Sequence, residues 1–290
     1  MNAATPRARE VGREELLSLV AGRRDSVRRY LEWALANERD AVDEGEPQLS
    51  MRMENRSDIR SAAEAAEFFA ERRWGVVVFT CFGSKLGAGT VAPWFRRPVS
   101  PLQADAMLSK ISFPSRSVGH HRIQSTLTGA KQALVAACAD DDFFCDVLHH
   151  GEDFDTRYGR LRGARLRQWG RTTCFDLLLR AGALAIGGAR CLPDFAYLAG
   201  STGPRKGFAA IFGVPVTSET APWAEGVLRT WAENWKDVCK DVGVDWEGDP
   251  LYPRDQENFL CVYQENRAAW SNCKPIRTGE SNVQRPTRSC

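Results

Sequence analysis

No apolar run in this chain approaches the roughly 20 residues that a membrane-spanning helix needs, and the opening residues MNAATPRAREVGREELL lack the apolar core of a secretory leader. A cytoplasmic protein that makes no membrane contact is therefore expected. Paired cysteines are also missing. The nine cysteines stand singly, with no CxxC, which argues for reduced thiols rather than a disulfide framework. Cys138 and Cys145 have the first spacing of the iron–sulfur loop of some DNA glycosylases, but no closely spaced third and fourth cysteine follows. A Walker A loop, a dinucleotide fingerprint, HExxH and G-x-S-x-G are all absent, and with them the chemistries that those spacings serve. No cofactor and no metal site is expected, because the acidic run Asp140–Asp142 reads as a solvated helix junction. Charge of one sign is scarce too. A net charge of +2 does not announce a polyanionic partner, so any such partner must be argued from where the arginines cluster.

They cluster in LRGARLRQWGRTTCFDLLLRAG, residues 161–182. This stretch reads as a basic helix, a tight turn at Gly170 and a second helix, the arrangement of a helix-hairpin-helix element on a DNA backbone. Thr172 or Thr173 is expected to cap the second helix, whose first N–H groups would then face phosphate. Arg162, Arg165, Arg167 and Arg171 add non-specific attraction. Gln168 stands where the motif normally has its first glycine.

Elsewhere the apolar spacing is mainly helical. Residues 13–39 predict one long or two short amphipathic helices, broken near Gly22. Asp58 is a candidate cap for a helix over 59–73. Residues 76–82 are β-branched and bounded by glycine, so a short strand and the middle of a core helix both fit. Ser100-Pro101 starts a helix that runs to Lys110, and further helices fit 128–139, 143–149 and 206–212. Trp223, Val227, Trp231, Trp235 and Val238 form a stripe expected to be core. A last helix is expected from Asp255, as cap, through Trp270 with Asn258 facing inward, followed by a disordered tail over 274–290. The domain reading is an unassigned N-terminal helical region over 1–115 and a helical domain over 116–273.

The order of a hairpin, an Asp-containing turn and tryptophan-rich helices resembles the helix-hairpin-helix DNA glycosylase superfamily. Asp194, in LPDF, lies where that superfamily carries its catalytic aspartate. The segment Asp255-Gln256-Glu257-Asn258-Phe259-Leu260-Cys261 is similar to the D-x-E-N-x-L-C signature of phage-type thymine-hypermodification enzymes. Within them it is most similar to the α-glutamyl/putrescinyl-thymine pyrophosphorylases. The likeness covers roughly residues 120–270. It implies a mainly α, glycosylase-like fold, DNA as partner, and an amine donor such as glutamate or putrescine. The reaction it implies displaces pyrophosphate from the methylene of pyrophosphorylated 5-hydroxymethyluracil.

Such chemistry needs a presented base, cations for the leaving group and a base for the ammonium. Arg116, His120, His121 and Arg122 are candidates for handling pyrophosphate, with Arg205 and Lys206 as a second anion site. Asp194, Glu257 and Asn258 are candidates for positioning or deprotonating the amine. A monofunctional glycosylase and a non-enzymatic DNA-binding protein are the alternatives. Thr172 stands where a lyase would carry its Schiff-base lysine, so lyase chemistry is not expected.

Overall fold

The computed structural model describes residues 8–39, 52, 57–119, 126–149, 152–188 and 191–271. His120, His121, Arg122 and the tail over 274–290 lie outside the described residues. Among the described residues there are fourteen helices and no strand. The chain opens with α1 (Arg13–Ala21) and α2 (Arg24–Arg39), then runs through α3 (Ser57–Ala66), α4 (Arg72–Phe82), α5 (Lys85–Val91) and α6 (Pro101–Lys110). Next come α7 (Leu127–Ala139), α8 (Asp141–His149), α9 (Phe154–Ala164) and α10 (Arg171–Ala183). The last four are α11 (Gly203–Phe212), α12 (Ala221–Glu233), α13 (Trp235–Val242) and α14 (Pro253–Ser271).

These helices bury two apolar cores. One gathers side chains of α3 to α10, from Ala62 to Tyr197. The other joins α1 and α2 to α11, α12, α13 and α14. The N-terminal third is therefore shared between the two cores, and the expected division at residue 115 does not coincide with any division of the packing. Two short amphipathic helices cannot bury their apolar faces alone. Tyr30 and Trp33 do so against Tyr263 and Phe259, with ring centroids 5.1 Å and 6.1 Å apart respectively.

The centre of the first core is α4, in which every residue from Arg73 to Phe82 is buried. Val76, Val77 and Val78 are helical, which decides against the strand reading. A helix apolar on all sides is stable when neighbours cover every face, and that burial outweighs the weak β preference of valine. Gly75 lets α4 cross α3 closely, because a Cβ there would collide with the Ala66 backbone. The indole N–H of the neighbouring Trp74 donates to the Phe95 carbonyl at 2.8 Å and ties down the same end of α4. No single helix among the described residues is long and apolar enough to cross a membrane. The bent pair α4–α5 passes that test jointly but turns through 118°.

Local signals held where the chemistry is local. Ser100 and Gln103 form a reciprocal capping box on α6 with proline in its first turn. The break at Gly22 separates α1 from α2. Trp231 and Trp235 stack at 5.6 Å inside the second core, as the stripe predicts. Two expected caps are corrected. Asp58 lies inside α3, and its carboxylate accepts from buried Arg180 at 2.7 Å. Asp255 lies inside the first turn of α14, where it is buried 3.8 Å from Arg52. In each case an arginine distant in sequence claims the carboxylate.

α11 packs tightly against α14 in the second core. Gly203 and Gly207 lie one turn apart on α11, and a Cβ at either would run into Cys261 or the Leu260 carbonyl. Gly207→Ala should therefore cost about 1–3 kcal/mol through overpacking against backbone that cannot yield. Gly159, helical in α9 with open space around its Cα, should behave oppositely, Gly159→Ala gaining about 0.5–1 kcal/mol. Urea denaturation of the two variants checks both signs. Equal effects would contradict the close packing of α11 on α14.

Candidate functional site at the hairpin

The hairpin begins where Asp153 caps α9, its Oδ1 accepting from the Thr156 amide at 2.7 Å. The helix ends at Arg165, left-handed with φ 51°. Gln168 is left-handed too, at φ 66°, a backbone geometry that favours glycine. Trp169 anchors the turn. Its indole N–H donates to the Ala133 carbonyl at 3.0 Å, and its ring lies 4.7 Å from that of Phe144. Gly170 is the N-cap of α10 and no side chain caps it. The expected threonine cap is thus corrected: Thr173 is buried in the helix behind the cap position and Thr172 is half-buried.

Arg165, Arg167, Gln168 and Gly170 face solvent, whereas Arg171 turns inward. With its side chain 12% exposed, Arg171 pairs with Glu257 of α14 at 3.3 Å. The same guanidinium donates to the backbone carbonyls of Tyr197, at 2.8 Å, and Ala196, at 3.3 Å. From the opposite side the buried Glu225 of α12 accepts from the Leu198 amide at 2.6 Å and the Ala196 amide at 3.0 Å. Residues 196–198 are thus a strap between the cores. Tyr197 enters the first core and Ala196 and Leu198 enter the second. The alternation includes a left-handed Tyr197, with φ 52°.

Acidic and aromatic groups collect around the strap. Burial first, then the charges of Asp153 and Asp194, push the Asp155 carboxyl up to about 6. Its Oδ1 is buried without a hydrogen-bond partner. Burial likewise raises Glu225 to about 7, against the opposing pull of the two amides and Arg171. The Tyr158 ring stands edge-on to Tyr197 at 4.7 Å. Its hydroxyl is made less acidic by burial, an effect that the nearby Arg171 and Arg162 oppose. Cys174, pushed up to about 11 by burial, is a protonated thiol and no nucleophile.

The structure brings together some of the expected site residues. Arg171 and Glu257 touch, Asn258 follows on α14 and is half-buried, and Asp194 is exposed in the loop before the strap, acting on Asp155 through charge. Arg205 and Lys206 both lie in the first turn of α11, which begins at Gly203, three residues before the expected start at Lys206. Arg116 is exposed and left-handed in a loop that is anchored to the α4–α5 corner, where the Gly119 amide donates to Phe82 at 2.8 Å. No group of three or more His, Cys, Asp or Glu among the described residues is arranged to hold a metal ion.

Asp155, Tyr158 and Glu225 are absent from the sequence-level candidates. Asp155 and Tyr158 left a signal, since with Arg162 they follow an i, i+3, i+7 spacing just before the hairpin. Glu225 is legible only as an acid set between Ala224 and the apolar Val227 and Leu228 of α12.

Comparison with protein-family models, curated proteins and solved structures returned no match.

The raised carboxyls fix a pH dependence. A folded Asp155 holds its proton to higher pH than the unfolded chain does, so its contribution is most favourable below about pH 4 and is lost as pH rises through about 6. Glu225 acts in the same direction up to about pH 7. Asp155→Asn should therefore flatten the fall in stability between about pH 4 and 6, measured by urea midpoints. An unchanged slope would show that Asp155 titrates normally.

Proposed function

We propose that this chain is a helix-hairpin-helix, glycosylase-like protein that modifies a base in DNA. The reaction is transfer of an amine, with glutamate or putrescine as candidate donors, onto pyrophosphorylated 5-hydroxymethyluracil with release of pyrophosphate. One observation carries the reading: the glutamate of the D-x-E-N segment, Glu257, is ion-paired to the arginine that opens the second hairpin helix, Arg171. Two sequence signatures 86 residues apart thus meet at one point, beside a strap that links both cores.

Three further features support it. The exposed Arg165 and Arg167 give the hairpin turn a basic outer face for phosphate. Carboxyls displaced toward neutrality, Asp155 among them, suit proton removal from an ammonium. Tyr158, half-buried at the same junction, offers a ring to an extruded base.

Mass spectrometry of nucleosides tests the chemistry, using enzymatically pyrophosphorylated hydroxymethyluracil DNA incubated with the protein and a pool of amino acids and polyamines. An amine-bearing thymine is expected. Free base with an abasic site would mean a glycosylase, and unchanged but bound DNA a binding protein. The DNA-facing role has its own check: Arg165→Ala with Arg167→Ala should weaken DNA binding and shorten the salt slope by about 1–2. An unchanged slope removes the turn from the DNA interface.

A further inference from the structure

Three side chains on α9 lie along one face. Asp155, Tyr158 and Arg162 are spaced i, i+3, i+7, so they stack over two turns, with Cα atoms of the outer pair roughly 10 Å apart. The stripe faces the junction, because the Tyr158 ring contacts Tyr197 of the strap at 4.7 Å while Arg171 holds the backbone carbonyl of that same Tyr197 at 2.8 Å. The two ends differ in charge. At the first end the negative charges of Asp153 and Asp194 act on Asp155, whose Oδ1 is buried and has no hydrogen-bond partner. At the other end Arg162 and Arg171 both act on the Tyr158 hydroxyl, with Glu257 opposing them. Arg162 lies against the thiol of Cys174. A thiol is a weak partner for a guanidinium, so most of the donor fork remains for an anion.

We propose that α9 sorts a ligand by charge, binding a phosphate-bearing anion between Arg162 and Tyr158 and an alkylammonium at Asp155, with the Tyr158 ring between the two. Assigning the ends to the leaving pyrophosphate and the attacking amine rests on the amine-transfer reading above. In that reaction the amine nitrogen forms a bond to the methylene carbon. The bond from that carbon to the pyrophosphate oxygen breaks, and its electron pair departs with pyrophosphate toward Arg162. The proton released by the nitrogen passes to the Asp155 carboxylate. Opposite ends of one rigid helix hold nucleophile and leaving group apart across the reacting carbon, the geometry that an in-line displacement needs. Asp155 and Arg162 supply none of the hydrogen bonds that hold residues 196–198, so substituting either leaves those bonds in place.

Calorimetric titration of the full chain with inorganic pyrophosphate and, separately, with putrescine tests the sorting without requiring turnover. Arg162→Ala should raise the pyrophosphate Kd at least tenfold and move the putrescine Kd less than twofold. Asp155→Asn should do the reverse. Thermal unfolding checks that each variant is folded, and Arg162→Met, which keeps an apolar stem against Cys174, replaces alanine if it is not. Three results overturn the proposal: wild-type protein that binds neither ligand at millimolar concentration, variants that weaken both ligands alike, or variants that weaken neither. Amine transfer to DNA is scored separately. Transfer that proceeds unchanged in both variants sinks the sorting and leaves the reading intact, whereas the paired binding signature without transfer supports the sorting and sinks the reading.

Discussion

Three consecutive peptide groups, at Ala196, Tyr197 and Leu198, join the two halves of this protein, and one acid and one base hold them. Buried peptide N–H and C=O groups must be bonded or they cost about 1–3 kcal/mol each. The strap runs outside any helix, where no ladder can do this. Glu225 takes two of its amides and Arg171 two of its carbonyls. Because the strap sends alternate side chains into different cores, the clamp sets how α10 of the first core stands relative to α12 and α14 of the second.

That arrangement has an electrostatic consequence. Glu225 and Glu257 are almost fully buried and share one guanidinium, with Asp155 close enough to raise Glu225 further. A charge removed from water without full compensation favours its neutral form. Burial thus moves Asp155 and Glu225 toward neutrality, while the surface Glu64 beside Lys85 moves down. Groups displaced in this way lie next to two tyrosines and on the inner side of a basic turn. Residues that serve as structural glue and residues proposed for chemistry thus occupy one junction. A change in Arg171 or Glu225 would disturb both, and the outward Arg165 and Arg167 would report binding more cleanly.

The hairpin illustrates what remained readable in the residues and what did not. Its two helices and its turn follow from apolar spacing and from glycine, whereas the burial of Trp169 does not. The direction of Arg171 did not follow. Sequence groups it with Arg165 and Arg167 as one basic cluster, yet its partner Glu257 stands 86 residues away, and only the packing of α14 beside α10 brings that carboxylate within reach. The same cause explains Asp58 and Asp255. Each has the chemistry of a cap, and each was claimed by an arginine, Arg180 or Arg52, from a distant segment. Residues 76–82 went the other way for an apolar reason, since periodicity is uninformative when every face of an element is covered.

Sequence alone determined the helical class, the break at Gly22, the capping box at Ser100, the tryptophan stripe as core and the basic turn. All of these rest on interactions within a few residues or on the period of a helix. Tertiary structure alone decided that the N-terminal helices pack with the C-terminal ones, and that Glu225 and Arg171 clamp a strap between two cores. It also decided that burial raises the proton affinity of Asp155 and of Glu225. Burial and charge at that junction are sums over elements far apart in the chain, so no single segment encodes them.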